Sequence, residues 1–336
     1  MARNMKAWTL AIAAFGLALL GCAGPQETAT TSGGMTDEEI ENLVKRSWQY
    51  VAMYNVNNKG AMQYGGWNIV DVDTELKDHT LKVIARPNND SLYITCMLDL
   101  RSEPVILDMP AFDSKYVSLM VTGYDHYVNI PMSTRQGDFD QPEKMLFFSE
   151  RTDGYEKGEQ VEGIDRTFEA TGDFLSAVFR VMPHANEPER FERIKEQMQS
   201  VRLLTLSEYR GGEAKPIDAF DFPPVGTRDT DTFENNLLEV MQFVFNHTTF
   251  EVASERDQKV LAAYEPLGVA PGQSFDPERV AALDGQRVRE VAERIEAEEM
   301  AKADRLAAST GMFKLKGDIG LDLLLFQSVF GPIGQP

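Results

Sequence analysis

The sequence predicts an α+β protein: an antiparallel, jelly-roll-like β-sandwich with an N-terminal helix and a C-terminal helical segment. Three observations carry that expectation. A capped amphipathic stripe begins at Thr36, the middle of the chain is cut into short runs of β-formers by turn residues, and helical periodicity returns beyond residue 228. The expected division is a targeting segment at 1–21, a tether at 22–35, and helix plus sandwich at 36–228. A helical segment packed on the sandwich follows at 229–308, then an apolar tail at 309–336.

The first residues read as an export signal. Arg3 and Lys6 give a positive start, Trp8 to Leu20 an apolar stretch, and Leu19-Leu20-Gly21-Cys22 a processing site. The apolar stretch is shorter than the roughly 20 residues a spanning helix needs. Leu-Leu-Gly-Cys is similar to the bacterial lipobox, whose cysteine is diacylated before the signal is removed and the new amino terminus acylated. That resemblance implies lipid on Cys22 and a membrane partner reached through the anchor. The alternative is an ordinary cleaved signal with a chance cysteine. Ala23 stands where an inner-membrane retention signal has Asp, so the expected location is the cell envelope, on the outer membrane and facing the periplasm. Gly24 to Gly34 is too polar to bury anything and reads as a flexible tether.

Composition narrows the function classes. The chain carries 33 basic and 53 acidic residues, a net charge of −20, and cleavage would remove two of the basic ones. Such a surface repels nucleic acid, and no Lys/Arg patch offsets it, so no nucleic-acid partner is expected. With Cys22 committed to lipid, Cys96 stands alone within a β-like run. No disulfide framework is available, and a buried, inert thiol is expected there. His79, His126, His184 and His247 form no ligand motif, so no metal site and no cofactor are predicted.

Element by element, Thr36 and Glu39 form a capping box before a helix that runs to Tyr54. Its apolar stripe is Ile40, Leu43, Val44, Trp48 and Val51. Strands are expected at Leu81–Ala85, Ser91–Leu98, Val105–Met109, Tyr116–Val121 and Met145–Ser149. Phe174 to Val181 alternates, with Leu175, Ala177, Phe179 and Val181 on one face. The clusters Pro87-Asn88-Asn89-Asp90, Arg101-Ser102-Glu103-Pro104 and Pro110-Ala111-Phe112-Asp113 separate them. Glu187 to Val201 is a helix started by Pro188. Asp231 or Thr230 caps a helix bearing Phe233, Leu237, Met241 and Phe245, and Ser254 caps another that ends at Gly268. Asp276 with Pro277 starts a third, broken at Gly285 and running to about Ala308. Ile319 to Phe330 is apolar and must either return to the core or lead into a further domain.

Pro87-Asn88-Asn89-Asp90-Ser91-Leu92-Tyr93, Met97-Leu98-Asp99-Leu100, Pro104-Val105-Ile106-Leu107, Met109-Pro110 and Lys115-Tyr116 together resemble the bacterial domain-of-unknown-function family 1254. The family pattern is Pro-Asn-x-Asp-Thr-Leu-Tyr, Leu-Asp-Leu, Pro-Val, Pro and Arg-Tyr; here Ser91 replaces Thr and Lys115 replaces Arg. Weaker agreement continues through Arg180-Val181-Met182-Pro183 to Leu267-Gly268-Val269. The resemblance implies jelly-roll-like sandwiches with helical insertions and no established reaction. Members commonly continue into a second domain of unknown function, numbered 1214. Gly331 to Pro336 resembles its beginning, which implies that the second domain is missing here.

Candidate site residues follow from the same segments. Asn88, Asp90 and Tyr93 would stand at the mouth of the sandwich and offer an amide, a carboxylate and an aromatic face to a sugar; the bland alternative is a tight turn. Asp99, flanked by leucines, is expected to be paired, with Arg101 or Arg86 as partner. Tyr124-Asp125-His126-Tyr127 groups an acid, an imidazole and two phenols, with surface or turn roles expected. Neighbours on a strand face opposite ways, so Asp125 and His126 form a dyad only across a bulge. Asp71-Val72-Asp73-Thr74-Glu75 is expected to be a solvated strand edge, with a calcium-type oxygen cluster as the sharper alternative. No nucleophile elbow, phosphate loop, dinucleotide fingerprint or zinc-protease motif occurs. The expected function is an accessory envelope lipoprotein whose sandwich binds a glycan or other small ligand. The alternative is a carboxylate-dependent hydrolase acting on carbohydrate or amide bonds, with Asp90 or Asp99 as acid/base.

Overall fold

A computed structural model describes residues 34–76, 90–217, 220–302 and 312–330. The expected signal, Cys22, the tether up to residue 33, the Leu81–Ala85 strand, Asn88 and Asn89, and the final Gly331 to Pro336 lie outside the described residues.

Helix α1 (Asp37–Tyr64) starts at the capping box: Thr36 Oγ1 accepts from the Glu39 amide at 3.2 Å, and Glu39 Oε2 accepts from the Thr36 amide at 2.7 Å. It runs ten residues past the expected end at Tyr54 and stops at Gly65, in the left-handed region with φ 99°. The extension contains Asn55, Asn57, Asn58 and Gly60, all weak helix formers. Distant partners override them. Asn55 Nδ2 donates to Asp229 Oδ1 at 2.8 Å, and Asn58 Nδ2 to the Tyr124 hydroxyl at 3.0 Å.

Among the described residues nine strands follow in two sheets. In chain order they are β1 (Ile69–Asp73), β2 (Leu92–Asp99), β3 (Val105–Met109), β4 (Val117–Thr122), β5 (Val128–Ser133), β6 (Glu143–Ser149), β7 (Arg166–Ala170), β8 (Phe174–Val181) and β9 (Arg202–Thr205). One sheet has the order β1-β2-β8-β4-β5, the other β7-β6-β3-β9. The first is antiparallel throughout, but β6 and β7 pair in parallel, so the expectation of a purely antiparallel sandwich is corrected there. β8 is central, and its alternation is the one expected. Ala177 faces Cys96 on β2 and Val121 on β4, while Phe179 faces Ile94 and Leu119. These residues join Val105, Leu107, Met145 and Phe147 of the other sheet in one buried cluster, the interior of a two-sheet sandwich. Helix α2 (Pro188–Gln199) adds Ile194 and Met198 to it.

A second core is helical. After the short α3 (Leu206–Tyr209) come α4 (Asp229–Asn235), α5 (Leu237–His247), α6 (Glu255–Tyr264), α7 (Gly285–Met300) and α8 (Leu321–Phe330), and α1 packs against all five later helices. The expected single helix from Asp231 is two, broken at Asn236. The expected start at Asp276 is also corrected: α7 begins at Gly285, capped by Asp284, whose side chain accepts from the Arg287 amide at 3.2 Å. A Cβ on Gly285 would run into the Glu234 carbonyl of α4, so this close approach requires glycine. The apolar tail returns to the core as α8, with Leu325 and Val329 buried in the helical cluster. Among the described residues no helix is long and apolar enough to cross a membrane.

Candidate functional site

The ends of β2, β6 and β8 converge with the end of α5 at one rim of the sandwich. Asp99, the last residue of β2, is 2% exposed, and its carboxylate takes one edge of a guanidinium: Arg101 Nε donates to Oδ1 at 3.0 Å and Nη2 to Oδ2 at 2.8 Å. Held in this way, Arg101 lays its guanidinium 5.0 Å from the Phe174 ring centroid and 4.7 Å from that of Phe220. Phe220 is 41% exposed. Beside it Arg101, Ser102, Asp153, Lys215 and Pro216 line a cleft of about 530 Å³. Lys215 Nζ donates to the Ser102 carbonyl at 3.2 Å across that cleft.

A second acid lies just behind. Asp173 is 1% exposed and accepts from Ser149 Oγ at 2.6 Å, from Arg151 Nε at 3.0 Å, and from His247 Nδ1 at 2.8 Å. Burial raises its pKa, but the His247 hydrogen bond and the Arg151 charge outweigh burial and hold the carboxyl below the usual range. An ionised Asp173 only accepts, so His247 carries its proton on Nδ1. The imidazole is boxed by Phe174, Phe220 and Phe243, with ring centroids 5.3, 5.2 and 4.5 Å away. The rim is thus polar groups answered in pairs, set among aromatic faces.

The sequence-predicted residues are distributed differently. Asp90 is exposed at the start of β2, and Tyr93 is half-buried on the face of β2 opposite Ile94, register-paired with Asp73 and Arg180. Neither lines the Arg101 cleft. Asp71 and Asp73 sit half-buried on the edge strand β1, and among the described residues no group of His, Cys, Asp and Glu is placed to hold a metal ion. Asp125 and His126 do occupy a turn, between β4 and β5, but not a surface one: both are at most 1% exposed. The cause is tertiary, because α1 and the tail cover the turn. Gln49 Nε2 donates to the Asp125 carbonyl at 2.8 Å and Gln327 Nε2 to the His126 carbonyl at 2.9 Å. Ser328 Oγ donates to Leu324 at 2.7 Å, so it accepts from His126 Nδ1 at 3.1 Å. Burial lowers the His126 pKa to about 3, a neutral imidazole. Burial likewise raises Asp125 to about 6, against lowering by Thr171 and the Lys316 charge.

Arg151, Asp173, Lys215, Phe220 and His247 escaped the sequence analysis as site residues. They come from separate segments, and only the Asp99–Arg101 proximity was a usable signal.

Rim and fold together define a two-sheet α+β protein with a helical layer and a polar cleft whose Arg101 also packs on the Phe220 ring. Residues 68–203 match the family described as "Protein of unknown function (DUF1254)". A crystal structure of the VPA0106 protein from Vibrio parahaemolyticus is similar in fold, with a TM-score of 0.61 at 20% identity, covering 86% of this chain and 67% of that one. A crystal structure of an uncharacterized protein from Burkholderia cenocepacia covers 55% of this chain and 52% of its own at 10% identity. Its TM-score of 0.28 is too small to speak for a shared fold. No curated protein matches the chain.

Proposed function

We propose that this protein is a lipid-anchored envelope module that binds a neutral glycan in the Arg101 cleft. The observation that carries it is the half-exposed Phe220 ring over a guanidinium already neutralised by Asp99, beside a cleft lined by Ser102, Asp153 and Lys215. A sugar offers an apolar C–H face to an aromatic ring and vicinal hydroxyls to planar paired donors and acceptors. Charges that balance within the cleft favour a ligand with no net charge of its own. The jelly-roll-like topology and the anchor at Cys22 belong to the same proposal. The anchor rests on the signal at residues 3–22, and Cys22→Ser should release the protein from membranes or leave it unprocessed.

The hydrolase reading with Asp99 as acid/base is weaker, because both oxygens of Asp99 are engaged by Arg101. Calorimetry of residues 35–336 with chito-, cello- and malto-oligosaccharides tests the binding reading. Binding should be lost in Phe220→Ala and Arg101→Ala while the melting temperature of Phe220→Ala holds. Absence of binding across all three series would sink the neutral-glycan claim.

A further inference from the structure

We infer that the glycan site has a second subsite, formed by Tyr209, Arg210, Gln160 and Gly163, so that the ligand is an extended chain and not a single sugar. The inference rests on the glycan reading of the Arg101 cleft. A second cleft of about 530 Å³ is lined by Gln160, Val161, Glu162, Gly163, Tyr209 and Arg210. It repeats the chemistry of the first. A half-buried aromatic ring, Tyr209, lines it, and the Phe220 ring packs on Arg101 of the first cleft. Arg210 is answered by a carboxylate, Glu159, at 3.0 Å, as Arg101 is by Asp99. The exposed Gln160 side chain supplies an amide.

The aromatic wall is fixed in place. Tyr209 Oη donates to the Glu162 carbonyl at 3.0 Å and lies 2.5 Å from where a Cβ of Gly163 would be, so any larger residue there would displace the ring. Gly163 is also in the left-handed region, φ 79°, which glycine adopts without strain.

The two clefts are tied together by one loop. Tyr209 and Arg210 line the second, Lys215 and Pro216 the first, and the six steps from Tyr209 to Lys215 span at most about 20 Å of extended chain. The buried Glu103 pins both ends of this loop with one carboxylate. Its Oε2 accepts from the Ser207 amide at 2.7 Å and its Oε1 from the Lys215 amide at 2.8 Å. Burial raises the Glu103 pKa, but these hydrogen bonds prevail and keep it below the usual range, so the pin is ionised. Two clefts of one chemistry, held at a fixed separation by a braced loop, suit one ligand long enough to touch both. The second contact then adds affinity without a second loss of translational freedom.

The test is a length series of neutral oligosaccharides from one to six units, titrated into residues 35–336 by calorimetry. For the series that binds, affinity should climb about tenfold or more with length and then level off once both clefts are reached. Gln160→Ala and Arg210→Ala, both at exposed side chains, should flatten that climb while short sugars still bind through the first cleft. Arg101→Ala should abolish binding at every length. Affinity independent of length, or a climb untouched by Gln160→Ala and Arg210→Ala while Arg101→Ala still abolishes binding, would overturn the second subsite and leave the first standing. No binding by any sugar would remove the glycan reading and the subsite together.

Discussion

Lys316 reaches from the C-terminal segment to Asp257 of α6 and donates to its Oδ2 at 2.6 Å, in a place where the Asp257 side chain is 1% exposed and that of Lys316 17%. Lys316 Nζ also lies 3.5 Å from the Thr249 carbonyl, and Thr249 Oγ1 in turn accepts from Arg151 Nη1 at 3.2 Å. The chain of contacts therefore runs from the tail to Arg151 and Asp173 at the rim. Removing the ammonium leaves a buried carboxylate without its counter-charge, a loss of about 3–5 kcal/mol. Lys316→Met should accordingly lower stability by that amount in chemical denaturation, and adding Asp257→Asn should restore part of it. Equal stability of Lys316→Met and wild type would show that the tail is not anchored by this pair.

Asp125 makes stability depend on pH in a recognisable direction. Its folded pKa, about 6, lies above the ordinary 3.8, so the folded state binds the proton more tightly than the unfolded state does. Its contribution is therefore fully present below the ordinary carboxylate range and is lost as pH rises from about 4 through 6. A displacement of about two pH units sets the scale at roughly 3 kcal/mol. Asp173 and Glu103, held low, act the opposite way and gain stability as pH rises from acid. The readout is the difference between wild type and Asp125→Asn. That difference should move in favour of the variant as pH goes from 4 to 7 and stay constant above. A difference that is flat across this range would show that Asp125 titrates normally.

Much of this fold was legible in local chemistry, and the remainder was not local. The start of α1 could be read because Thr36 and Glu39 satisfy each other three residues apart. Its end could not, since Asn55 and Asn58 are held by Asp229, Thr232 and Tyr124 from remote parts of the chain. β8 was legible through its alternation, and Cys96 through its β-like neighbours. β5 was missed because it contains Pro131, which an edge strand tolerates and a central strand does not. β7 and β9 are short edge strands with little apolar signal. Of the candidate residues, Asp99 stands at the rim as the brace of Arg101. The rest of the rim is assembled from β6, β8, α5 and the Phe220 loop, with no spacing that a single sequence reveals.

Gly285 tests the packing of α4 against α7. Alanine there would gain up to about 1 kcal/mol in helix propensity, but its Cβ would collide with the Glu234 carbonyl. Backbone cannot swing aside as a side chain can, and overpacking costs about 1–3 kcal/mol. The clash should win, and Gly285→Ala should be less stable than wild type by denaturation. A stabilised variant would place α7 farther from α4 than described.

Cys96 is fully buried between β1 and β8, and burial pushes its thiol up to about 12. The thiolate is the reactive form, and at pH 7 that leaves roughly one molecule in a hundred thousand. A thiol reagent should label the native protein slowly, at a rate set by unfolding, and the denatured protein at once. Fast labelling under native conditions would mean that the β1 edge opens readily.

Asp99 offers the cleanest separation of a brace from a catalytic acid. As a brace, it is a buried charge whose partner Arg101 has a side chain only 16% exposed. Asp99→Asn would keep the shape and remove the charge, so the Arg101 guanidinium would lose a charge-assisted pair and face an amide. Breaking such a pair costs about 3 kcal/mol or more, and part of that should return when Arg101→Met is added. The Arg101 side chain would also lose its fixed position over Phe220, so glycan affinity should drop in Asp99→Asn together with stability. A catalytic acid behaves otherwise, because functional carboxylates are commonly held at a cost to the fold and their removal is neutral or stabilising. Denaturation midpoints of wild type, both single variants and the double variant decide between the two. An Asp99→Asn protein as stable as wild type, with no coupling to Arg101→Met, would end the brace assignment and return Asp99 to the list of groups that act on a substrate.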